Sequence, residues 1–338
     1  MSLMPLNENM SASVIARFLK SQGVDRIFAL CGGHIMPIWM RVDAEGIQIV
    51  DVRDERAAVY MAHAHSELTG KLGVALVTAG PGVTNAMTGI ANAHVARASI
   101  LVLSGLPPRQ QENRGALQDI VHTDLVQSIT RYARTVRQSS LVLQELDEAV
   151  SRARGVGGEP GPVYLDFPTD VLRDEVPKVI QMEEHFRPKV LRPILPHMDD
   201  VTAAIEVLLS AKKPLVISGR GARGAHKELC EFLDKLGGAY LDTGESKGLV
   251  PDSHPAVVAA MRGKVMGDAD VSVTVGRRLD FQLAYGSPSV FGSAKFVRIG
   301  DIPTEVRDNR RGDIEINANP AKTLEAINGL IGDRKSSA

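Results

Sequence analysis

The stretch Gly73-Val74-Ala75-Leu76-Val77-Thr78-Ala79-Gly80-Pro81-Gly82-Val83-Thr84-Asn85 decides the fold of this chain. Its first five residues form an apolar run bounded by glycine, which is typical of a buried strand in a parallel sheet. Gly80 and Gly82 permit a sharp turn and a close approach of backbone, and Thr84 and Asn85 put polar groups where a helix begins. The stretch therefore predicts a strand, a turn that can hold a flat ligand, and a helix.

The same alternation of short apolar runs and helical periodicity extends along the chain. Before the turn the helical patterns cover residues 12–22, 35–42 and 55–68, and the strand patterns cover 26–30 and 47–52. After it, further strand patterns cover residues 99–104, 162–166, 214–218, 271–275 and 295–299. Strands that alternate with helices form parallel sheets covered by helices on both faces. We therefore predict an α/β fold with two doubly wound, mostly parallel-sheet domains.

Length and local composition predict where the two domains meet. A chain of 338 residues is too long for one ordinary hydrophobic core. Between the two regions of α/β pattern lies a segment rich in proline and charge, which is typical of a linker. We expect a first domain over residues 10–173, a linker over 174–198 and a second domain over 199–331.

Composition excludes several classes of function. Apolar residues make up 44% of the chain and charged residues 23%, which is typical of a folded globular protein. A net charge of −1 excludes a general attraction to nucleic acid or to an anionic membrane surface. The chain has only Cys31 and Cys230, so we expect neither a disulfide framework nor a cysteine metal site. We expect a soluble cytoplasmic protein without a membrane span.

Motifs in a fixed order resemble the pyrimidine-binding domain of thiamine diphosphate enzymes. They are Leu30-Cys31-Gly32-Gly33-His34, Asp54-Glu55 followed by the turn at 78–85, Gln111-Glu112-Asn113-Arg114-Gly115-Ala116-Leu117-Gln118, and Gly161-Pro162-Val163-Tyr164-Leu165-Asp166-Phe167-Pro168. Among these enzymes, the acetolactate synthase and 2-hydroxyacyl-CoA lyase branch is the most similar. The resemblance extends over about residues 10–330, which correspond to the pyrimidine-binding domain and the nucleotide-binding-like central domain of the family.

The resemblance assigns a role to each matching residue. Glu55 matches the glutamate that contacts the aminopyrimidine ring and activates the cofactor by acid–base catalysis, and Gln118 matches a residue at the reacting centre. Glu55 and Gln118 are therefore the predicted catalytic residues. The predicted cofactor-binding residues are Gly32, Gly33, Glu55, Pro81, Asn85 and Gln118. Where the family commonly has histidine before the glutamate, this chain has Asp54.

The residues taken alone leave structural alternatives open for this first site. Asp54 and Glu55 also fit the acidic start of a helix, where the dipole favours negative charge. The pair Gly32-Gly33 also fits an ordinary turn between a strand and a helix. Gln118 fits a surface position as well, and His34 fits either a group that faces a substrate or a residue at a helix start.

The loop Gly219-Arg220-Gly221-Ala222-Arg223-Gly224 carries a second pattern of interest. It follows the predicted strand at 214–218 and precedes a helix, with Asp242 after the next strand, which satisfies a dinucleotide fingerprint. Glycines and arginines at a helix N-terminus bind phosphate well, although the same pattern forms ordinary tight turns. The predicted nucleotide-binding residues are Gly219, Arg220, Gly221 and Arg277.

The sequence does not identify which ligand the Gly219–Gly224 loop binds. The resemblance implies FAD, or an adenine nucleotide such as the one in CoA, in the central domain. Two rival functions are an NAD-dependent dehydrogenase that uses the Gly219–Gly224 loop and a non-catalytic nucleotide-binding or regulatory module. The first predicts that NADH binds and that Glu55 is dispensable.

A third domain completes the family's active site by holding Mg²⁺ and the diphosphate through Gly-Asp-Gly and a downstream pair of asparagines. Here Gly300-Asp301 lacks the third glycine, and we expect no metal ligands in this chain. We therefore expect the C-terminal diphosphate-binding domain to be absent, through truncation, proteolysis or a natural split, and the isolated chain to be inactive. The implied partners are a 2-keto acid or 2-hydroxyacyl-CoA substrate, and either further copies in a homodimer or homotetramer or a complementary diphosphate-domain subunit.

Overall fold

The computed structural model describes residues 7–181 and 183–332. The chain divides into two compact units, with the boundary between Leu191 and Arg192. Each unit is built on one sheet whose neighbouring strands are parallel, with helices interleaved along the chain. The predicted α/β fold with two parallel-sheet domains is confirmed.

The sheet of the first unit has the strand order β2-β1-β3-β4-β6-β5. Its strands are β1 (Arg26–Ala29), β2 (Gln48–Asp51), β3 (Gly73–Val77), β4 (Ile100–Leu106), β5 (Tyr132–Thr135) and β6 (Val163–Pro168). Its α-helices are α1 (Ser11–Ser21), α2 (Met36–Ala44), α3 (Glu55–Thr69), α4 (Pro81–Ala96), α5 (His122–Val126), α6 (Val142–Ala153) and α7 (Thr169–Arg173). The chain leaves β1 towards one edge and β3 towards the other, so these two neighbouring strands mark the switch point at which such sheets bind ligands.

Strand β3 illustrates why its sequence is apolar throughout. Val74 and Leu76 belong to the core that includes α1, α2 and α6, whereas Ala75 and Val77 belong to the core that includes α3 and α4. All four side chains are fully buried because successive residues of a strand point to opposite faces and both faces are covered. Full burial of each valine or leucine contributes about 1.5–3 kcal/mol.

Helices α3 and α4 pack unusually close together. A Cβ atom on Gly89 of α4 would lie 2.7 Å from Cβ of Val59 on α3, so only glycine fits at this contact. Residues one helical turn towards the N-terminus lie on the same helix face, and here they are Asn85 on α4 and Glu55 on α3. The close contact between Gly89 and Val59 therefore positions the side chains of Asn85 and Glu55 beside each other.

Part of the segment predicted as a linker lies against the first unit. Val176 N donates to Asn9 O at 2.8 Å, and Gln181 receives a hydrogen bond from Arg17 on α1 at 2.7 Å. The described residues 188–197 form neither helix nor strand. The linker limits of 174 and 198 stay a prediction.

The second unit has the strand order β11-β10-β9-β7-β8. Its strands are β7 (Pro214–Ser218), β8 (Ala239–Leu241), β9 (Val271–Val275), β10 (Lys295–Gly300) and β11 (Ile314–Asn317). Its α-helices are α8 (Met198–Ser210), α9 (His226–Leu236), α10 (Arg262–Asp268), α11 (Pro288–Phe291), α12 (Pro303–Val306) and α13 (Pro320–Ile331). In neither unit does the described part of the chain contain a helix with the length and apolar character needed to cross a membrane.

Candidate cofactor site

The acidic pair at the start of α3 divides into two roles. Asp54 is the N-cap, and its Oδ1 accepts a hydrogen bond from the backbone N–H of Arg56 at 2.8 Å. The Arg56 guanidinium also binds the Asp54 carboxyl at 2.9 and 2.6 Å, and this hydrogen bonding lowers the pKa of Asp54 to about 2. Glu55, by contrast, is only 6% exposed. The capping role therefore belongs to Asp54 and leaves the buried carboxyl of Glu55 for another purpose.

The two carboxyl oxygens of Glu55 have different surroundings. Oε2 accepts a hydrogen bond from the Asn85 side-chain amide at 3.0 Å. Within the described ranges no donor binds Oε1, and a Cβ atom on Gly82 would lie 3.3 Å from it. The absence of a side chain at Gly82 therefore leaves room beside Oε1. One oxygen is fixed in place, and the other is available to share a proton with a ligand.

The glycines around this carboxyl serve two purposes. A Cβ atom on Gly32 would lie 2.3 Å from Oγ1 of Thr78, so the loop after β1 can cross the end of β3 only because residue 32 is glycine. No atom lies within 4 Å of the corresponding position on Gly33, which borders open space. The Thr78 Oγ1 atom is buried and has no hydrogen-bond partner in the described residues.

The turn into α4 has a conformation reserved for glycine. Gly80 has φ +62° and ψ −117°, and a Cβ atom on it would lie 2.8 Å from Cβ of Gln118. Pro81 follows at the first helical position, where its ring is compatible with the helix and no N–H is needed. The predicted cofactor residue Pro81 thus lies between the Gly80 turn and the Glu55 carboxyl region.

Gln118 lies in the site despite its distance along the chain. Its backbone has φ +63°, an uncommon value for a residue with a side chain. Its Oε1 lies 3.1 Å from Nδ1 of His34, the residue after the Gly32-Gly33 turn. Burial lowers the pKa of His34, although the hydrogen bond with Gln118 acts in the opposite direction. Both side chains are half-buried.

The structure therefore brings all the first-domain residues predicted from the sequence to one place. Gly32 and Gly33 follow β1, Pro81 and Asn85 follow β3, and Glu55 follows β2, all at the carboxyl ends of these parallel strands. This is the edge at which α/β sheets bind ligands, beside the β1–β3 switch point. The cluster therefore combines a buried carboxyl, a side-chain amide and glycine backbone at one edge of the sheet.

One part of the site was missed from the sequence. The Gly80 backbone N–H donates to Nε2 of His122 at 2.7 Å, and Nδ1 of His122 lies 3.0 Å from Oδ2 of Asp166. Tyr164 donates to the same carboxyl oxygen at 3.0 Å. The available signal was Asp166 itself, a charged residue inside the apolar run that forms β6. Buried charge in a predicted strand requires a partner, but the sequence does not name that partner.

The second predicted site lies at the corresponding edge of the other sheet. Gly219 follows β7, and its N–H donates to Val275 O at 3.0 Å; Gly221 donates to Gly276 O at 3.0 Å. A Cβ atom on Gly219 would lie 2.6 Å from Gly276 O, so the fingerprint glycines allow two loops to touch. A 3-10 turn at Arg220–Ala222 separates this loop from α9, which begins only at His226.

Both predicted arginines of this second site have carboxylate partners. Arg277 makes two hydrogen bonds of 2.8 Å to the Asp280 carboxyl, and Arg220 lies 3.3 Å from Glu245. Asp242, the acidic residue of the fingerprint, pairs with Arg262 at 3.2 Å. A phosphate at this loop would have to compete with Asp280 and Glu245 for the two guanidiniums. Across the described residues, no group of three His, Cys, Asp or Glu side chains could hold a metal ion.

Comparisons with known proteins agree with this architecture. The model of the N-terminal binding domain of thiamine pyrophosphate enzymes matches residues 10–127, and the model of their central domain matches residues 201–327. The first match lies within the first parallel-sheet unit, and the second match lies within the second unit. The fold, the buried carboxyl beside a glycine turn and the paired domains define a thiamine pyrophosphate-dependent class of enzyme.

Individual relatives narrow the class to one branch. Mouse 2-hydroxyacyl-CoA lyase 1 is 33% identical over 90% of this chain and 52% of its own length. The acetolactate synthase large subunit of Mycobacterium tuberculosis is 32% identical over 88% of this chain and 54% of its own length. Oxalyl-CoA decarboxylase of Escherichia coli is 31% identical over 95% of this chain and 57% of its own length.

The chain belongs to the thiamine pyrophosphate enzyme family, and its relatives include 2-hydroxyacyl-CoA lyases and acetolactate synthase. It spans about half the length of the curated relatives it matches. The predicted resemblance is confirmed. A dehydrogenase built on the Gly219–Gly224 loop is not favoured, because the central-domain model of the family includes that loop.

Proposed function

We propose that this chain supplies the pyrimidine side of a thiamine diphosphate site in an enzyme that makes or cleaves a C–C bond next to a carbonyl. The substrate is a 2-keto acid or a 2-hydroxyacyl-CoA. The observation that carries this proposal is the Glu55 carboxyl, which is 6% exposed and held at Oε2 by Asn85, with Oε1 beside the space at Gly82. The names of the relatives support the reaction class.

Thiamine diphosphate, when bound, supplies a nucleophilic carbon and an electron sink for this chemistry. The residues of this chain bind and orient its ring. Glu55 Oε1 shares a proton with a ring nitrogen, and Asn85 keeps the carboxyl oriented by occupying Oε2. Gly32, Gly33 and Pro81 supply backbone and a rigid edge that a flat ring can approach closely. Gln118, oriented by His34, offers an amide to the reacting side.

The described residues contain no group of three His, Cys, Asp or Glu side chains that could hold a metal ion. The diphosphate and Mg²⁺ therefore require other residues. We assign them to a diphosphate-binding domain, either in the same polypeptide or in a second one. Because the family builds each active site from two subunits, the assembled enzyme is a homodimer or homotetramer, or a complex with a complementary subunit. A cytoplasmic location suits a chain whose two cysteines, Cys31 and Cys230, are both free.

For the second unit, we propose that the crevice at Gly219, Gly221 and Gly276 holds a nucleotide. FAD and the adenine nucleotide portion of CoA are the two candidates. Relatives bear the names of CoA-thioester enzymes, which supports the second candidate. A flavin absorption spectrum in the purified protein would identify FAD, whereas saturable binding of CoA without flavin would identify the second candidate.

The test is an assay of the chain together with the diphosphate-binding domain, in thiamine diphosphate and Mg²⁺, with pyruvate and with a 2-hydroxyacyl-CoA. We expect turnover of one of these substrates, and we expect Glu55→Gln to abolish it while the fold is retained. The isolated 338-residue chain should bind the cofactor weakly and should not turn over. Saturable NADH binding together with full activity of Glu55→Gln would contradict the proposal.

A further inference from the structure

A buried chain of hydrogen bonds connects β6 to the turn before α4. The side chains of His122 and Asp166 are both 0% exposed, and they meet through Nδ1 and Oδ2 at 3.0 Å. Tyr164 donates to the same oxygen at 3.0 Å, and its ring meets the imidazole edge to face at 6.4 Å. On its other side the imidazole accepts the Gly80 N–H at 2.7 Å. The imidazole of His122 is therefore held on both sides, by Gly80 and by Asp166.

The hydrogen bond from Gly80 fixes which nitrogen of His122 carries the proton. A backbone N–H can only donate, so Nε2 must be an unprotonated acceptor. A neutral imidazole then carries its proton on Nδ1, and that N–H donates to Asp166. The carboxyl thus selects the tautomer that can bind Gly80, as carboxylates do for histidines in other sites. The opposite tautomer would direct an N–H of His122 at the N–H of Gly80.

The conformation of Gly80 explains why this support is needed. Its ψ of −117° with φ of +62° lies outside the conformations of regular structure, and its N–H donates to a side chain, that of His122. Without His122 this buried donor would lose its hydrogen-bond partner, which is unfavourable for a buried N–H. The carbonyl of the same residue begins α4 by accepting from Val83 and Thr84 at 3.0 and 3.1 Å. The position of Gly80 therefore sets the start of the helix.

The start of α4 carries the groups that the proposed function uses. Pro81 and Gly82 follow Gly80 directly, and Asn85 lies in the next turn, where it binds Glu55 at 3.0 Å. A shift of Gly80 moves these residues relative to α3. We propose that His122, held by Asp166 in the Nδ1–H tautomer, is a positioning residue that places the Gly80–Gly82 turn and the Asn85–Glu55 pair. This inference rests on the proposed function for its consequence in catalysis, but the tautomer itself does not depend on it.

The tautomer is tested first, on the wild-type chain labelled with ¹⁵N-histidine. Nuclear magnetic resonance reports the protonation of each ring nitrogen, and the His122 signals are assigned by their loss in His122→Gln. We expect a neutral ring at pH 7 with the proton on Nδ1. A proton on Nε2, or on both nitrogens, would overturn the inference. This measurement needs neither cofactor nor turnover, and it is made on the wild-type chain.

Positioning is tested by variants that keep or remove the acceptor. His122→Gln retains an amide oxygen for the Gly80 N–H, whereas His122→Leu does not. We expect His122→Leu to accelerate hydrogen exchange of the Gly80 amide at least tenfold and to lower kcat of the assembled enzyme about tenfold or more. We expect His122→Gln to restore most of both properties. His94→Gln, at the opposite end of α4, is the matched control and should change neither.

The outcomes separate this inference from the proposed function. Exchange of the Gly80 amide at the wild-type rate in His122→Leu, with kcat within twofold of the wild type, would overturn the positioning role. Failure of the wild-type assembly to bind thiamine diphosphate would refute the proposed function instead. The ¹⁵N measurement would still decide whether His122 accepts the Gly80 hydrogen bond.

Discussion

The side-chain amide of Asn85 donates a 3.0 Å hydrogen bond to Oε2 of Glu55, and this bond joins the second turn of α4 to the first turn of α3. One turn further along the same faces, Gly89 lets the two helices touch at Val59. The contact between α3 and α4 is therefore apolar at Gly89 and Val59 and polar one turn earlier, at Asn85 and Glu55. It explains how a carboxyl with 6% exposure keeps a single orientation.

Replacement of Asn85 by leucine should weaken catalysis without unfolding the chain. A hydrogen bond to a carboxylate contributes about 1.5–3 kcal/mol, which corresponds to a loss of about 10- to 100-fold in kcat of the assembled enzyme. Steady-state kinetics measures the loss. Asn92→Leu is the matched control, since Asn92 lies on the same helix but binds His63 at the surface. Equal activities of the two variants would contradict the role given to Asn85.

The two neighbouring glycines should respond differently to alanine. Gly32→Ala places a methyl group 2.3 Å from Thr78 Oγ1, whereas Gly33→Ala meets no atom within 4 Å. We expect Gly32→Ala to lower the free energy of unfolding by about 1–3 kcal/mol through overpacking, and Gly33→Ala to change it little. Trp39 on α2 is the sole tryptophan of the chain, so its fluorescence during urea unfolding reports the first unit. Equal destabilisation by Gly32→Ala and Gly33→Ala would contradict the close contact between Gly32 and Thr78.

The N-cap of α3 predicts a pH effect with a definite sign. The pKa of Asp54 is lowered from 3.8 to about 2, chiefly by the hydrogen bond from Arg56. Because the folded-state pKa lies below the unfolded one, this contribution to stability is present above about pH 4 and is lost as the pH falls towards 2. Arg56→Gln should raise the pKa of Asp54 towards 3.8, as measured by a ¹³C carboxyl titration.

A matched control for this titration lies three residues earlier on the chain. Arg53 pairs with Asp51 at 3.2 Å and has no contact with the N-cap carboxyl. Arg53→Gln should therefore leave the Asp54 titration unchanged. An Asp54 midpoint near 3.8 in the wild-type chain would contradict the pairing with Arg56.

In the second unit, Arg298 on β10 is the largest fully buried side chain. It binds Thr274 Oγ1 at 2.7 Å, Arg310 O at 2.6 Å and the Asp308 carboxyl at 3.0 Å. Arg298→Met leaves Asp308 buried without its cation, so we expect the free energy of unfolding to fall by about 3–5 kcal/mol. Urea unfolding followed by far-ultraviolet circular dichroism measures this loss, while Trp39 fluorescence should be unaffected.

The control for Arg298 is an arginine whose ion pair lies at the surface. The Arg311 side chain is 72% exposed and pairs with Glu315. Exposed pairs contribute only about 0–1 kcal/mol, so Arg311→Met should change stability by no more than that. If Arg298→Met and Arg311→Met lowered the free energy of unfolding by similar amounts, burial of Arg298 would not explain its contribution to stability.

Much of the fold follows from local sequence. The apolar run at 73–77 and the turn at 78–85 predict β3 and the start of α4, because a parallel strand buried on both faces must be apolar throughout and its turn needs glycine. The residues around Glu55 follow from the motifs in the same way, since Gly32, Glu55 and Pro81 lie in the connections after β1, β2 and β3. Their convergence at one edge is a consequence of parallel topology.

The remaining features depend on contacts between distant residues. His122 and Asp166 meet across 44 positions of sequence, and nothing local identifies one as the partner of the other. Arg277 and Asp280 are only three residues apart, yet the phosphate-binding pattern does not show that their side chains pair. Gly219 and Gly221 match a phosphate-binding pattern, yet the structure also gives them a packing role against Gly276, which the pattern cannot distinguish.

The most direct test of the central claim is the rate at which bound thiamine diphosphate exchanges the proton of its reactive carbon for deuterium. It is measured by rapid quenching and nuclear magnetic resonance on the assembled enzyme, with Glu148→Gln on α6 as a surface control. If Glu55 supplies the proton that activates the ring, Glu55→Gln should slow this exchange by about 100-fold or more while the cofactor stays bound. Exchange at the wild-type rate in Glu55→Gln would contradict the account.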